Sequence, residues 1–336
     1  MSDLRRDPVS GDWIIMAPER AKRLNQKQRK TKRKHDPVLK CPFENLKKTG
    51  NWPPILVYYK NKILKPEEIK DDKNWDVVLI PNKYPALSHK DNICATDFQN
   101  GPFHLKTGIG THDLIVFRDH FKGLADLDFK TFLGAFLLLQ KRYLDLAKDK
   151  CHIYTSTFCN YGKSAGASLT HPHFQVLTLP IIPPDINDSL LGSLRYFKKH
   201  KKCIHCEMLK FDLKENKRII FKDKNAIVIT PFISRSPFEL RVYPLKHISN
   251  FEYTNLSDLK SVVLALQISL QKIKNKLFDP DFNFFIHTAP LKDHKYSYYH
   301  WHIEILPKIT IQGGFEISTG IEINVFDPYE ACKVLK

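Results

Sequence analysis

Thr170-His-Pro-His-Phe-Gln-Val176 and Tyr299-His-Trp-His-Ile-Glu-Ile305 are two versions of one pattern, paired histidines that run into an alternation of polar and apolar residues. Alternation with period two marks a half-buried β-strand, because successive side chains point to opposite faces. In the first copy His171, His173 and Gln175 therefore share one face, while Phe174 and Val176 turn to the core. The surroundings repeat as well. A β-type segment precedes each pair, His152 to Phe158 and Phe282 to Thr288. A helix-period segment precedes each of those, with Phe132, Phe136, Leu139 and Tyr143 on one face in the first copy and Leu264, Leu270 and Leu277 in the second. The helices open at Leu124-Ala-Asp-Leu127 and Leu256-Ser-Asp-Leu259, and each carries a Leu-Gln-Lys step, at Leu139 to Lys141 and Leu270 to Lys272.

Farther upstream a single histidine closes a strand-like run in each copy, His120 after Asp113 to Phe117 and His247 after Glu239 to Tyr243. Both copies begin near a cysteine, in Cys41-Pro-Phe-Glu44 and Cys203-Ile-His-Cys206. The same order of four features twice implies duplication of an α+β unit, an antiparallel sheet with packed helices. Two similar domains are expected, 1–180 and 181–336, joined through the proline-rich stretch Pro180 to Pro184.

Composition agrees with this. The 336 residues are 42% hydrophobic and 12% aromatic, enough for two ordinary cores. No run approaches the roughly 18 apolar residues that span a bilayer, and MSDLRRDPVSGDW has no apolar stretch behind its arginines. A cytoplasmic protein with no membrane partner is the expectation. The net charge of +17 favours anionic ligands. Nine Lys and Arg residues crowd between Arg20 and Lys34 without interleaved aromatics, which reads as a solvated basic loop rather than a nucleic-acid platform. Seven cysteines argue against a disulfide framework. Cys94, Cys151, Cys159 and Cys332 read as packing positions.

Structural zinc takes four ligands, usually thiolates and imidazoles, two of them close in sequence and two from afar. Cys203, Cys206, His247 and His300 fit a Cys2His2 set. In the first copy the equivalent set is Cys41, Glu44, His120 and His171, where the harder carboxylate admits iron as an alternative to zinc. His35, His89, His104 and His112 lack counterparts in the second copy and are left out of both sets.

His173 then has no metal partners in the pattern and is free for chemistry. Imidazole can attack a phosphoryl centre and leave again, dividing one transfer into two displacements. The preceding Asn160-Tyr-Gly-Lys-Ser-Ala-Gly-Ala-Ser168 is glycine-rich enough to bring backbone N–H groups close to phosphate oxygens. The Gln175 amide is placed to donate to a non-bridging oxygen.

These residues resemble the galactose-1-phosphate uridylyltransferase branch of the histidine triad superfamily. The resemblance runs through Arg5-Arg-Asp-Pro-Val-Ser-Gly-Asp-Trp13, Ala17-Pro-Glu-Arg-Ala-Lys-Arg23, Pro81-Asn-Lys-Tyr-Pro-Ala-Leu87, the Gly-Ala-Ser…His-Pro-His-x-Gln block and Gly313-Gly-Phe-Glu-Ile-Ser-Thr-Gly320. It implies a tandem pair of histidine-triad-like units, zinc as cofactor, a homodimer, and a ping-pong reaction that parks a nucleoside monophosphate on His173. It further implies nucleotide or phosphate contacts from Arg20, Arg23, Asn82, Tyr84, Asn160, Gly166, Ser168 and Gln175. Phe315 and Glu316 are implied near the sugar, from the same subunit or its partner.

Ala167 stands where the best-known uridylyltransferases have cysteine, and the Gly-Gly-Phe-Glu block looks more like the ADP-glucose phosphorylase-like and thermophilic branches. His302 and Glu304 in place of His-x-Gln imply a degenerate second site. The leading expectation is transfer of UMP between UDP-glucose and galactose 1-phosphate. The alternative is an adenylyltransferase or phosphorylase that uses ADP-glucose, or ADP with phosphate or sulfate. A zinc-stabilised nucleic-acid-binding protein would use the basic run but leaves the row around His173 unexplained. A nucleotide hydrolase would have histidine where Gln175 stands.

Overall fold

The computed structural model describes residues 2–23, 33–69, 71–89, 93–291 and 296–336, with the side chains of Lys22 and Arg23 left out. Most of the basic run from Arg20 to Lys34 thus lies outside the described residues.

In the first half the strands are β1 (Asp3–Arg6), β2 (Trp13–Met16), β3 (Leu56–Tyr59), β4 (Lys62–Leu64), β5 (Val77–Pro81), β6 (Asp97–Asn100), β7 (Phe103–Lys106), β8 (Thr111–Phe117), β9 (Tyr154–Tyr161) and β10 (His173–Leu179), with helix α1 (Phe129–Leu146) between β8 and β9. Helices α2 (Pro184–His200) and α3 (Ile204–Glu215) lead into the second half. There β11 (Ile219–Lys222), β12 (Ala226–Ile229) and β13 (Leu240–Pro244) precede α4 (Leu256–Leu277), followed by β14 (Phe282–His287), β15 (His302–Pro307), α5 (Gly314–Thr319), β16 (Glu322–Asn324) and α6 (Pro328–Leu335).

The duplication is visible in one sheet. Eleven strands run in the order β11-β12-β13-β15-β14-β9-β10-β8-β5-β3-β4. The antiparallel quartet β12-β13-β15-β14 mirrors β5-β8-β10-β9, and the two meet edge to edge where β14 pairs with β9, Phe284 opposite Cys159. Pairing the inner edges leaves neither quartet with an open central edge. The fold is α+β, as the sequence pattern implies. The chain's start docks on its end: β16 pairs parallel with β2, and the Arg5 guanidinium donates to the Phe232 carbonyl at 2.8 Å.

Period-two alternation sorts the strand residues onto two faces. Val77, Leu79, Ile115, Phe117, Phe174 and Val176 join α1 and α4 in one large core. Val78, Ile80, Leu114 and Val116 face the other way and are covered by Cys41, Phe43 and Leu46. Phe174 sits edge-on to both Phe117 and Phe284, each at 5.1 Å, and fixes the height of β10 from its buried side. His173 and Gln175 belong to the opposite face.

Each helix is capped, α1 by Asp128 accepting from the Thr131 N–H at 2.9 Å and α4 by Asn255 accepting from the Asp258 N–H at 3.0 Å. The two Leu-x-Asp-Leu stretches are not equivalent, however. Leu256 opens α4, whereas Leu124–Asp126 form a separate 3-10 turn ahead of α1. In the second helix Leu264 is 37% exposed, and the buried face is instead Leu259, Val262, Val263, Leu266, Leu270 and Ile273. The glutamines of the Leu-Gln-Lys steps are reciprocal ties: the Gln140 amide donates to the Thr254 carbonyl just before α4, and the Gln271 amide to the Ala125 carbonyl before α1. Among the described residues no helix is long and apolar enough to cross a membrane.

Candidate active site and metal centres

His171 enters β10 from the last residues before the strand, with its ring among Cys41, Glu44 and His120 and its backbone carbonyl beside His173. The His120 and His171 Nδ1 atoms face each other at 3.1 Å. Glu44 Oε1 is 3.0 Å from His120 Nδ1, and Cys41 Sγ is 3.4 Å from His171 Nδ1. The outer nitrogens are already engaged: His120 Nε2 donates to the Asp36 carbonyl at 2.8 Å and His171 Nε2 to the Phe117 carbonyl at 2.6 Å. A neutral imidazole that donates from Nε2 has a lone pair on Nδ1. Two such lone pairs point at one another across 3.1 Å, an arrangement that a proton or a metal cation between them would satisfy.

Bonds of about 2.0–2.3 Å to a tetrahedral zinc place ligand atoms roughly 3.3–3.8 Å apart. The observed spacings are close to this, and the carbonyl partners supply the orientation that metal-bound histidines need. Cys41, Glu44, His120 and His171 can therefore hold the ion together. In the second cluster Cys203, Cys206 and His247 lie together, and His300 stands at its edge beside Cys206. Cys203 and Cys206 flank the start of α3, Cys206 Sγ lies 3.2 Å from His247 Nδ1 and 3.5 Å from His300 Nδ1, and His247 Nε2 donates to the Ser297 carbonyl at 2.8 Å. The two thiols share one proton: hydrogen bonds from Cys206 and His247 hold the Cys203 thiol below the usual thiol range, while the Cys206 thiol is pushed above it.

His173 is tied differently. Its Nδ1–H donates to the His171 carbonyl at 2.8 Å, which leaves the lone pair on Nε2. The ring is only 8% exposed, and burial lowers its pKa from the ordinary histidine value, so the imidazole is neutral near pH 7. It lines a cavity of about 720 Å³ with Gln175, Asn82, Tyr84, Ser168 and Lys83, a volume suited to a nucleotide-sized ligand. Lys40 and Lys48 add positive charge.

His112, which has no counterpart in the second copy, belongs to this site. The Ala86 N–H donates to His112 Nδ1 at 3.2 Å, so the proton must be on Nε2, and that N–H donates to Gln175 Oε1 at 3.0 Å. The glutamine carbonyl is thereby occupied and its amide NH2 is left to face the cavity. Sheet register explains the contact. His112 lies opposite Leu177 and Leu114 opposite Gln175, so His112 is a diagonal neighbour of Gln175 on the same face.

The glycine-rich segment is a tight turn. Gly162 (φ +87°) and Gly166 (φ +86°) both occupy backbone regions that disfavour side chains. A Cβ on Gly162 would also strike Asp281 Oδ1 at 2.0 Å. The N–H groups of Ala165, Gly166 and Ala167 are used inside the turn, so they are not the phosphate donors the sequence suggests. Ser164 donates to Asp281 from backbone and hydroxyl alike. Arg33, at the end of the basic run, pairs with the same carboxylate at 2.9 Å and lies over the Tyr161 ring. Asn160 is held by the Asn283 amide at 2.8 Å.

Other expected contacts lie elsewhere in the chain. Arg20 and Glu316 line a separate cavity with Arg235 and Lys308, which shares no lining residue with that of His173. Phe315 is 44% exposed, and the Arg23 side chain lies outside the described residues. Cys94 and Cys151 form a disulfide, contrary to their reading as packing positions, while Cys159 and Cys332 are free and buried. Two segments that are distant in sequence bring that pair together, which an odd cysteine count does not reveal.

The model of the galactose-1-phosphate uridyl transferase N-terminal domain matches residues 1–183. The chain belongs to the galactose-1-phosphate uridyl transferase family. ADP-glucose phosphorylase of Arabidopsis thaliana is 33% identical over 99% of this chain and 92% of its own length. Galactose-1-phosphate uridylyltransferase of Thermotoga maritima is 27% identical over 100% of this chain and 98% of its own. A crystal structure of an Arabidopsis thaliana ADP-glucose phosphorylase with bound ADP-glucose superposes with a TM-score of 0.81 at 31% identity, covering 100% of this chain and 98% of that one. This uridyl transferase family is one of nucleotidyl transfer and phosphorolysis, and the chain is an enzyme of that kind.

Within this family member the second histidine pair keeps the backbone device beside a smaller cavity, about 380 Å³ against 720 Å³. His302 Nδ1 donates to the His300 carbonyl at 3.1 Å, as His173 does to His171. Where Leu114 faces Gln175, Arg241 faces Glu304. Arg241 and Arg235 both pair with that glutamate, and Tyr243 stacks on the His302 ring at 4.7 Å.

The Cys203 centre yields a direct expectation. Cys203→Ser with Cys206→Ser should remove one metal equivalent per chain by elemental analysis and lower Tm by about 5–10 °C, the scale of losing a bound ligand that stabilises only the folded state. Unchanged metal content would contradict the assignment.

Proposed function

We propose that this enzyme transfers a nucleoside monophosphate through a covalent intermediate on His173, taking AMP from ADP-glucose and passing it to an oxyanion such as phosphate or sulfate. The observation that carries the reading is the 2.8 Å bond from His173 Nδ1–H to the His171 carbonyl, which holds a buried, neutral imidazole with Nε2 open to the cavity. Nε2 attacks the α-phosphorus, the phosphorus–oxygen bond to the sugar phosphate breaks, and the bond electrons leave with that oxygen. The imidazole ring becomes cationic, and the His171 carbonyl stabilises its remaining N–H. Gln175, oriented by His112, donates to a non-bridging oxygen as charge builds. The acceptor oxyanion then attacks phosphorus, the N–P bond breaks and neutral His173 returns.

Zinc is the proposed ion at both centres; its chemistry is structural, fixing His171 and hence the carbonyl that aims His173. Adenine is favoured over uracil by the higher identity to an ADP-glucose phosphorylase and by Ala167 in place of cysteine. Uridylyl transfer to a hexose 1-phosphate is the second reading, supported by the full-length Thermotoga maritima relative. In either case Phe315 and Glu316 reach the sugar only in a homodimer that brings them to the His173 cavity of the other copy.

Incubation with labelled ADP-glucose or UDP-glucose, followed by isolation of acid-labile, base-stable protein label, tests both points. ADP-glucose should label the wild type, and His173→Asn should reduce labelling about 10³-fold or more with the fold intact. Labelling by UDP-glucose alone would move the base assignment, and no labelling by either would end the shared mechanism. His112→Ala should lower kcat roughly 10–100-fold with a smaller change in KM, because it releases the Gln175 amide without removing it. Unaltered kcat would exclude the orienting role.

A further inference from the structure

His89, Asp149 and His152 form a cluster outside the His173 cavity and both metal centres described above. His89 Nε2 lies 2.9 Å from Asp149 Oδ2, the two imidazole rings are 4.8 Å apart, and one donor atom from each of the three residues lies within 4.8 Å of the others. His152 is only 4% exposed. Its Nδ1–H donates to the Leu146 carbonyl at 3.2 Å, which puts the lone pair on Nε2. That Nε2 is buried without a hydrogen-bond partner. Such an acceptor is destabilising when left unsatisfied, and a Lewis acid is a partner its lone pair fits.

The cysteine pair joins the same two segments. Cys151 stands between Asp149 and His152 in sequence, and its disulfide partner Cys94 follows His89 by five positions, so the bond ties the two segments that carry the imidazoles. Both histidines are oriented as metal ligands usually are. Asp149 accepts from His89 Nε2–H and leaves Nδ1 with the lone pair, while the Leu146 carbonyl does the converse for His152.

We infer that Cys94, Cys151, His89 and His152 form a third, redox-controlled site for a zinc-class divalent cation. While the two sulfurs are bonded to each other they are poor donors, and two imidazoles hold the ion weakly. A phosphine with one water, or two molecules of a thiol, supplies two electrons and two protons, the S–S bond breaks to two thiols, and the reductant leaves as phosphine oxide (its oxygen from the water) or as disulfide. The two thiols release their protons to solvent as they bind the cation, which completes a Cys2His2 set with Asp149 orienting His89. A peroxide or a disulfide oxidant takes two electrons back from the two thiolates, the S–S bond re-forms, the oxidant leaves as water or thiol, and the ion is released.

The test is zinc content per chain by elemental analysis, after loading with zinc and passage over a chelating column, in a phosphine reductant and after oxidation. Reduced wild type should hold one more zinc than Cys94→Ser with Cys151→Ser, and one more than His89→Gln, a half-buried substitution outside the core. Oxidised wild type should match both variants handled identically. Equal zinc in reduced wild type and either variant would overturn the site. An additional equivalent that persists in oxidised wild type would overturn its redox control.

Discussion

The hydrogen bond from His173 Nδ1–H to the His171 carbonyl is the constraint on which the rest depends. It joins two functions through one residue: the His171 side chain belongs to the cluster with Cys41, Glu44 and His120, and its carbonyl sets the tautomer of the neighbouring imidazole. The metal centre can therefore be read as a device for placing a carbonyl oxygen. Packing works from the other face, where Phe174 is wedged between Phe117 and Phe284 and prevents β10 from rotating. A strand held from both sides presents His173 and Gln175 to the cavity with little freedom left to lose in the transition state.

Duplication explains how this arrangement arises. Both quartets of the sheet present a His-x-His strand in third place, and both use the carbonyl of the first histidine to orient the second. In the first copy that ring opens on a cavity of about 720 Å³, whereas the cavity beside His302 is about 380 Å³. In the second, Arg241 and Arg235 pair with Glu304 and Tyr243 stacks on His302, so this cavity is lined by paired charges. The second unit also contributes an edge strand to β9 and, through β14, the Asn283 amide that holds Asn160.

Much of this was legible in the sequence because period and spacing are local signals. The alternation around His173, the helical faces and the seven expected ligands that the fold gathers into two clusters, His300 standing outside them, follow from patterns that the fold must respect. His112 was missed because its role depends on register between β8 and β10, which places it diagonally from Gln175 although the two are far apart in the chain. The Cys94–Cys151 bond closes a separation of 57 residues and leaves no periodic trace. The glycine turn was legible as a turn, yet its N–H groups close on its own carbonyls, a matter of dihedral angles rather than composition. Arg20 and Glu316 share a second cavity for the same reason that Arg5 reaches Phe232: the two ends of the chain pair through β2 and β16.

The account requires His173 to be neutral well below the ordinary histidine pKa of about 6.5, since burial disfavours its charged form and only the neutral ring is nucleophilic. The most direct measurement is the single-turnover rate of nucleotide loading onto His173, by acid quench, as a function of pH. The rate should be level from about pH 8 through the ordinary histidine value and fall only at more acidic pH. A rate that halves at or above about pH 6.5 would mean an imidazole open to solvent and charge, and would contradict the buried, carbonyl-locked nucleophile.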